Sequence, residues 1–177
     1  MTHLAGRATD PHVATLGRLT RGALHEIANP LLALVGTAEL ALTETEPGSK
    51  LRDRLETVRA TGDEIATIVR ALQAFARQRH DPPRRISLAD AADDAVALVQ
   101  LVAAAPDVRI SARREAEPRV HESPADVSGA LVGLLLDAVT ALEGGGAVEL
   151  VVREDGNDAV ASIGDSEVRF VRVEAAT

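Results

Sequence analysis

Two long runs of helically spaced apolar residues, separated by a single Pro-Gly break, fix the first half of this 177-residue chain. From Val13, apolar residues recur at Leu16, Leu19 or Ala23, Ile27, Leu31, Leu34 or Val35, and Ala38. That three-and-four spacing lines one face of an α-helix. Asp10-Pro11 supplies an N-cap followed by proline at the first helical position. Glu44 to Lys50, with Pro47-Gly48 inside it, ends the run. A second stripe of Leu51, Leu55, Val58, Ile65, Val69, Leu72 and Ala76 predicts a helix from about Ser49 to Arg79. Two long helices joined by a short turn make an antiparallel hairpin. One hairpin cannot cover two wide apolar stripes. A second hairpin from another copy would complete a four-helix bundle, so a homodimer is expected; the alternative is packing against the rest of the same chain.

Composition narrows the function classes. The chain is 46% apolar, almost all of it aliphatic, with two Phe and neither Trp nor Tyr. It has no cysteine, which removes disulfides and thiolate metal sites. The five histidines are scattered without ligand spacing, so no metal site is expected. A formal charge of −8 argues against nucleic-acid binding. Charged residues interrupt every apolar run, and the N-terminus lacks a signal-peptide core, so no membrane association and a cytoplasmic location are expected. Met1 reads as a complete start.

The expected layout is a disordered segment over 1–10, the helical hairpin over 11–80, a stiff polar linker over 81–86 and a second domain over 87–177. Pro82-Pro83-Arg84-Arg85 marks the boundary. Beyond it, Ser87 caps a helix carrying Leu88, Ala92, Val96, Leu98 or Val99, and Val102, and Val108 to Ala112 alternates as a strand. Pro124 opens a helix, Val127 to Leu142, that is apolar nearly all round and therefore expected to be buried. Gly144-Gly145-Gly146 stops it and precedes a strand, so it reads as a turn rather than a phosphate-binding loop. Three strands are expected at Ala147 to Arg153, Ala159 to Ile163 and Val168 to Val173, with Gly156-Asn157 turning the first hairpin.

The chemistry concentrates in His25-Glu26-Ile27-Ala28-Asn29-Pro30-Leu31. On a helix His25 and Asn29 share a face, and Glu26 lies about 100° round the axis. An imidazole nucleophile with a carboxylate and an amide beside it suits phosphoryl transfer. Pro30 removes one backbone hydrogen bond, and a local kink is expected there. His3, His12, His80 and His121 have no comparable neighbours.

The segment Leu24 to Leu32 resembles the phosphoacceptor box of two-component sensor histidine kinases, His-(Glu/Asp)-x-x-(Asn/Thr)-Pro, in which a dimerising helical hairpin carries the histidine. Every position is matched. The resemblance extends over roughly Ile86 to Asp165 to the ATP-binding domain of the same kinases, and implies an α+β fold: a helical hairpin followed by a small α/β sandwich, a reduced ATP-binding domain. There the matching residues depart from the family. Gly133-Leu134-Leu135-Leu136-Asp137-Ala138 stands where the kinases have Asn-Leu-Leu-x-Asn-Ala, so the family's Mg²⁺ ligand position holds Asp137. Asp165-Ser166-Glu167-Val168-Arg169 stands where they have Asp-x-Gly-x-Gly; Asp165 is kept, while Glu167 and Arg169 replace both glycines. Their side chains are expected to fill nucleotide space, with Glu167 adding negative charge beside the phosphates. With the sequence ending at Thr177, the second glycine-rich box and the lid are expected to be missing.

A phosphoacceptor hairpin joined to a kinase domain without kinase chemistry is similar to the dimeric histidine phosphotransferases. That resemblance implies a relay protein whose His25 takes phosphate from an aspartyl phosphate on one response-regulator receiver domain and passes it to another, with Glu26 and Asn29 assisting. No cofactor is expected on this chain, Asp137 and Asp165 being vestigial, and Mg²⁺ belongs to the receiver. The alternatives are a minimal histidine kinase, a receiver phosphatase, and a non-catalytic scaffold or antagonist of a sensor kinase.

Overall fold

The computed structural model describes residues 11–77, 81–103, 105–142 and 145–173, with side chains from Gly22 onward. Residues 1–10, expected to be disordered, lie outside the described residues, as do 78–80, where the hairpin was expected to end. The chain divides into two compact units, the first ending at Arg77.

The first unit is the expected hairpin, α1 (Pro11–Glu44) and α2 (Lys50–Arg77). Pro47 and Gly48 lie in the connection, where Gly48 takes a φ of 78°. Arg52 at the start of α2 closes the end of α1: its Nη1 donates to the Leu42 carbonyl at 3.1 Å and the Thr45 carbonyl at 3.3 Å. Those carbonyls have no helical amide left to accept from. The seam between the helices is built from Leu24, Val35 and Ala38 on one side and Gly62, Ala66 and Val69 on the other, all buried. Gly62 lets the helices approach closely: a Cβ there would stand 2.5 Å from Cγ2 of Val35. The seam uses only one stripe of each helix. Ile27 and Leu34 on α1, and Leu51, Val58 and Ile65 on α2, repeat every seven residues on a second face and are between 42% and 57% exposed.

In the second unit, a four-stranded sheet runs in the order β2 (Val108–Arg114), β4 (Gly146–Asp155), β5 (Asp158–Ile163), β6 (Ser166–Val171). β2 is parallel to β4; the remaining pairs are antiparallel. Helices α3 (Leu88–Val102) and α4 (Pro124–Thr140) pack on it. Their core holds Leu88, Val99, Val127, Leu131, Leu135, Leu150 and Val152, all essentially inaccessible. Ser87 caps α3 as expected, its hydroxyl accepting from the Asp90 amide at 3.2 Å. Leu136 departs from the expected all-round burial of α4 and is 37% exposed, because only one side of the helix meets the sheet.

A second, two-stranded ribbon pairs β1 (Arg84–Ser87) with β3 (Arg119–Glu122). The linker expected over 81–86 therefore ends inside a strand: Arg84, Arg85 and Ile86 pair with Glu122, His121 and Val120. Gln100 of α3 protects the free edge of β2, its Nε2 donating to the Val108 carbonyl at 3.1 Å and its Oε1 accepting from the Ile110 amide at 2.9 Å. This side chain takes the place of a neighbouring strand, the usual remedy for an open edge.

Candidate functional site

Leu24 decides where the histidine points. Its side chain is buried in the seam, and its carbonyl accepts from Nε2 of Gln73 on α2 at 3.2 Å. With Leu24 turned inward and clamped, the next residue lies about 100° round the helix, and His25 is exposed. Glu26, Asn29 and Pro30 are exposed as well. The helix continues unbroken through Pro30. Pro30 has no amide to give, so the carbonyl of Glu26, the residue next to the histidine, loses its normal partner.

The face shared by His25 and Asn29 continues down α1 as Leu32, Gly36 and Leu40. Leu32 is 61% and Leu40 68% exposed, and the space over Gly36 is open. Gln73, Leu32 and Leu40 lie outside the His25 to Pro30 set. The two leucines carry a readable signal, since they fall outside the seam spacing on the histidine's side. Gln73 carries none beyond a polar residue within an apolar run.

The positions that answer to the nucleotide site are differently disposed. Asp137 is exposed on α4, and Asp165 is exposed in the turn between β5 and β6. That turn contains only Gly164 and Asp165, because Ile163 pairs directly with Ser166. Gly164 has a φ of 55°, which suits the first position of a tight hairpin turn. Glu167 and Arg169 follow on β6, and here the structure corrects the expectation. Arg169 is opposite Val160, and Val160 opposite Arg153, so all three share a face of the sheet. Val160 is buried yet lies outside the core between sheet and helices, so that face is turned away from α3 and α4. Glu167 and Arg169 therefore do not project into the space beside α4. Glu167 is not a free negative charge either, since Arg153 reaches it at 3.0 Å and Arg169 at 2.7 Å. Arg169 also meets Asp155 at 2.9 Å and Asp158 at 3.3 Å.

This network makes acid stability predictable. Hydrogen bonding from Arg169 holds the carboxyls of Asp155 and Glu167 below their ordinary values of 3.8 and 4.5. A carboxyl depressed in the folded state contributes stability above its unfolded pKa and loses it as pH falls through the folded one. Urea unfolding is expected to show Arg169→Gln less stable than wild type at pH 7. The gap begins to narrow near pH 4.5 and continues closing below 3.8. A gap constant with pH would show the pairs to be energetically silent.

No group of three or more His, Asp or Glu side chains among the described residues is placed to hold a metal ion. No helix among them is long and apolar enough to cross a membrane.

Residues 15–81, which contain the whole His25 to Pro30 set, match the His Kinase A (phospho-acceptor) domain. The hairpin is a phospho-acceptor domain of this kind, and the chain is homologous to sensor histidine kinases. The chain is 24% identical over 149 residues to the sensor histidine kinase ZraS of Salmonella typhimurium, a match covering 84% of the chain and 32% of the relative. It is 28% identical over 141 residues to the signal transduction histidine-protein kinase AtoS of Escherichia coli, covering 78% and 23%. It thus spans about a third or less of the length of these curated relatives. Its fold is similar to that of a bacterial phosphotransferase solved at 1.7 Å, with a TM-score of 0.53 over 90% of the chain and 69% of that protein, at 16% identity. The phospho-acceptor match and the sensor-kinase relatives support a place in two-component signal transduction.

Proposed function

We propose that this chain is a cytoplasmic histidine phosphotransferase that moves phosphoryl groups between the aspartates of response-regulator receiver domains and His25. One contrast supports the reading. The phosphoacceptor set is intact on an exposed helix face, whereas a two-residue turn at Gly164-Asp165 stands where the kinases carry a glycine-rich nucleotide loop.

In the reaction, the unprotonated ring nitrogen of His25 attacks the phosphorus of a receiver aspartyl phosphate. A P–N bond forms, the acyl P–O bond breaks, and the aspartate leaves as its carboxylate. Phosphorylation makes the other ring N–H more acidic, and Glu26 takes or stabilises that proton. Asn29 donates a hydrogen bond to the moving phosphoryl group. Transfer to a second receiver reverses these steps. Mg²⁺ comes with the receiver, as Asp137 and Asp165 serve no cofactor here.

The receiver docks along the face continued by Leu32, Gly36 and Leu40, and the C-terminal domain provides further docking surface. A second copy covers the seven-residue stripe of Ile27, Leu34, Leu51, Val58 and Ile65, so that the working form is a dimer with a four-helix bundle. The main rival is a minimal histidine kinase, favoured by the identity of the curated relatives as kinases.

The test uses receiver domains carrying labelled phosphate, mixed with this chain in the absence of ATP. Label is expected to move onto the chain as an acid-labile, base-stable adduct. Release of inorganic phosphate without such an adduct would favour a receiver phosphatase. Receivers that keep their label would favour a scaffold or antagonist.

A further inference from the structure

In the C-terminal unit, the β1–β3 ribbon and the first turns of α3 and α4 flank a half-open cavity of about 270 Å³. Its walls carry opposite charge: Arg84, Arg85 and Arg119 come from the ribbon, Asp90 and Asp94 from α3. Arg85 stands apart from the other arginines. Its Nε and Nη2 are sealed from water and have no hydrogen-bond partner among the described residues. Elsewhere Arg113, Arg114, Arg153, Arg169 and Arg172 each meet a carboxylate. A buried donor on a charged group is costly to leave unpaired.

The two orphaned nitrogens form one edge of the guanidinium. Their parallel N–H bonds match the two oxygens of a planar carboxylate. Phosphate suits the site less well, because Asp90 and Asp94 oppose a dianion more strongly than a single charge. Asp90 is already engaged by Arg114 at 3.3 Å. Asp94 is exposed beside the cavity and suits a cationic group. The volume lies just under the usual range for small-molecule pockets, about 300–1,000 Å³, which selects a small ligand.

We propose that this cavity binds a small zwitterionic amino carboxylate, its carboxylate on the Nε–Nη2 edge of Arg85 and its ammonium group toward Asp94. Binding swings the Arg85 side chain from its sealed position into the cavity. The proposal is independent of the phosphotransferase reading, since it involves neither His25 nor a receiver.

The test is a melting-temperature screen of the whole chain against the common L-amino acids, acetate and inorganic phosphate, each at millimolar concentration. Chemical-shift titration then follows the amides of residues 84–87 and 124–128. At least one amino acid is expected to raise the melting temperature saturably and shift those amides, with acetate weaker and phosphate weakest. Arg85→Leu is expected to melt no lower than wild type, because it removes an unpaired charge, and to lose the response. Asp94→Asn, at an exposed position, retains the acetate response and loses the preference for amino acids. The proposal is overturned if no amino acid shifts the wild type, if the shift persists in Arg85→Leu, or if Asp94→Asn discriminates as wild type does. A response to phosphate stronger than to any amino acid also overturns it.

Discussion

His25→Gln is expected to abolish phosphoryl acceptance while leaving the hairpin folded. The glutamine amide has no nucleophilic lone pair to offer phosphorus, so the loss is complete rather than partial. The fold is spared because His25 is exposed on α1 and contributes nothing to the seam of Leu24, Val35 and Ala38; surface changes of this kind usually alter stability by no more than about 0.5 kcal/mol. Labelled receiver mixed with the variant should therefore yield no base-stable adduct, with circular dichroism and melting temperature unchanged. The variant also separates transfer from hydrolysis. A phosphatase that works by positioning water through Asn29 or Glu26 would still release inorganic phosphate from His25→Gln. An adduct persisting in this variant would move the phosphoacceptor elsewhere.

The second large effect is on the fold. Gly62→Val places a branched side chain where a single Cβ already stands 2.5 Å from Cγ2 of Val35. Val35 is buried and β-branched, so it has little freedom to turn away. Overpacking of this kind costs about 1–3 kcal/mol, and a whole isopropyl group belongs near the upper end. For a hairpin of this size that corresponds to a melting-temperature loss on the order of 15 °C. Gly62→Ala is milder, since alanine recovers about 1 kcal/mol of helix propensity. Adding Val35→Ala to Gly62→Ala is expected to recover stability, because it removes the methyl group in the way. If the double variant melts lower than the sum of the single effects predicts, the close approach at Gly62 is not what limits that seam.

The hairpin was legible because apolar spacing sustained over several turns, and ended by Pro47-Gly48, leaves few alternatives. The β1–β3 ribbon was not. Each strand has four residues, and Arg84-Arg85 after Pro82-Pro83 has the composition of a linker. Its strand character depends on pairing with Arg119–Glu122, more than thirty residues away, which no local pattern announces. The β6 segment shows the same limit. Period-two alternation puts Glu167 and Arg169 on one face, but which face meets the helices is fixed by register with β5. The His25 cluster could be read directly because its members lie within one helical turn and a half. Gln73 could not, because its contact with the Leu24 carbonyl spans 49 positions of sequence.

The most direct test of the account supplies phosphate by two routes. In one reaction the chain receives γ-labelled ATP with Mg²⁺. In the other it receives a labelled phosphoreceiver without nucleotide. A phosphotransferase takes label on His25 only from the receiver, and that is the expected result. Label on His25 from ATP would contradict it and identify the chain as a working minimal kinase.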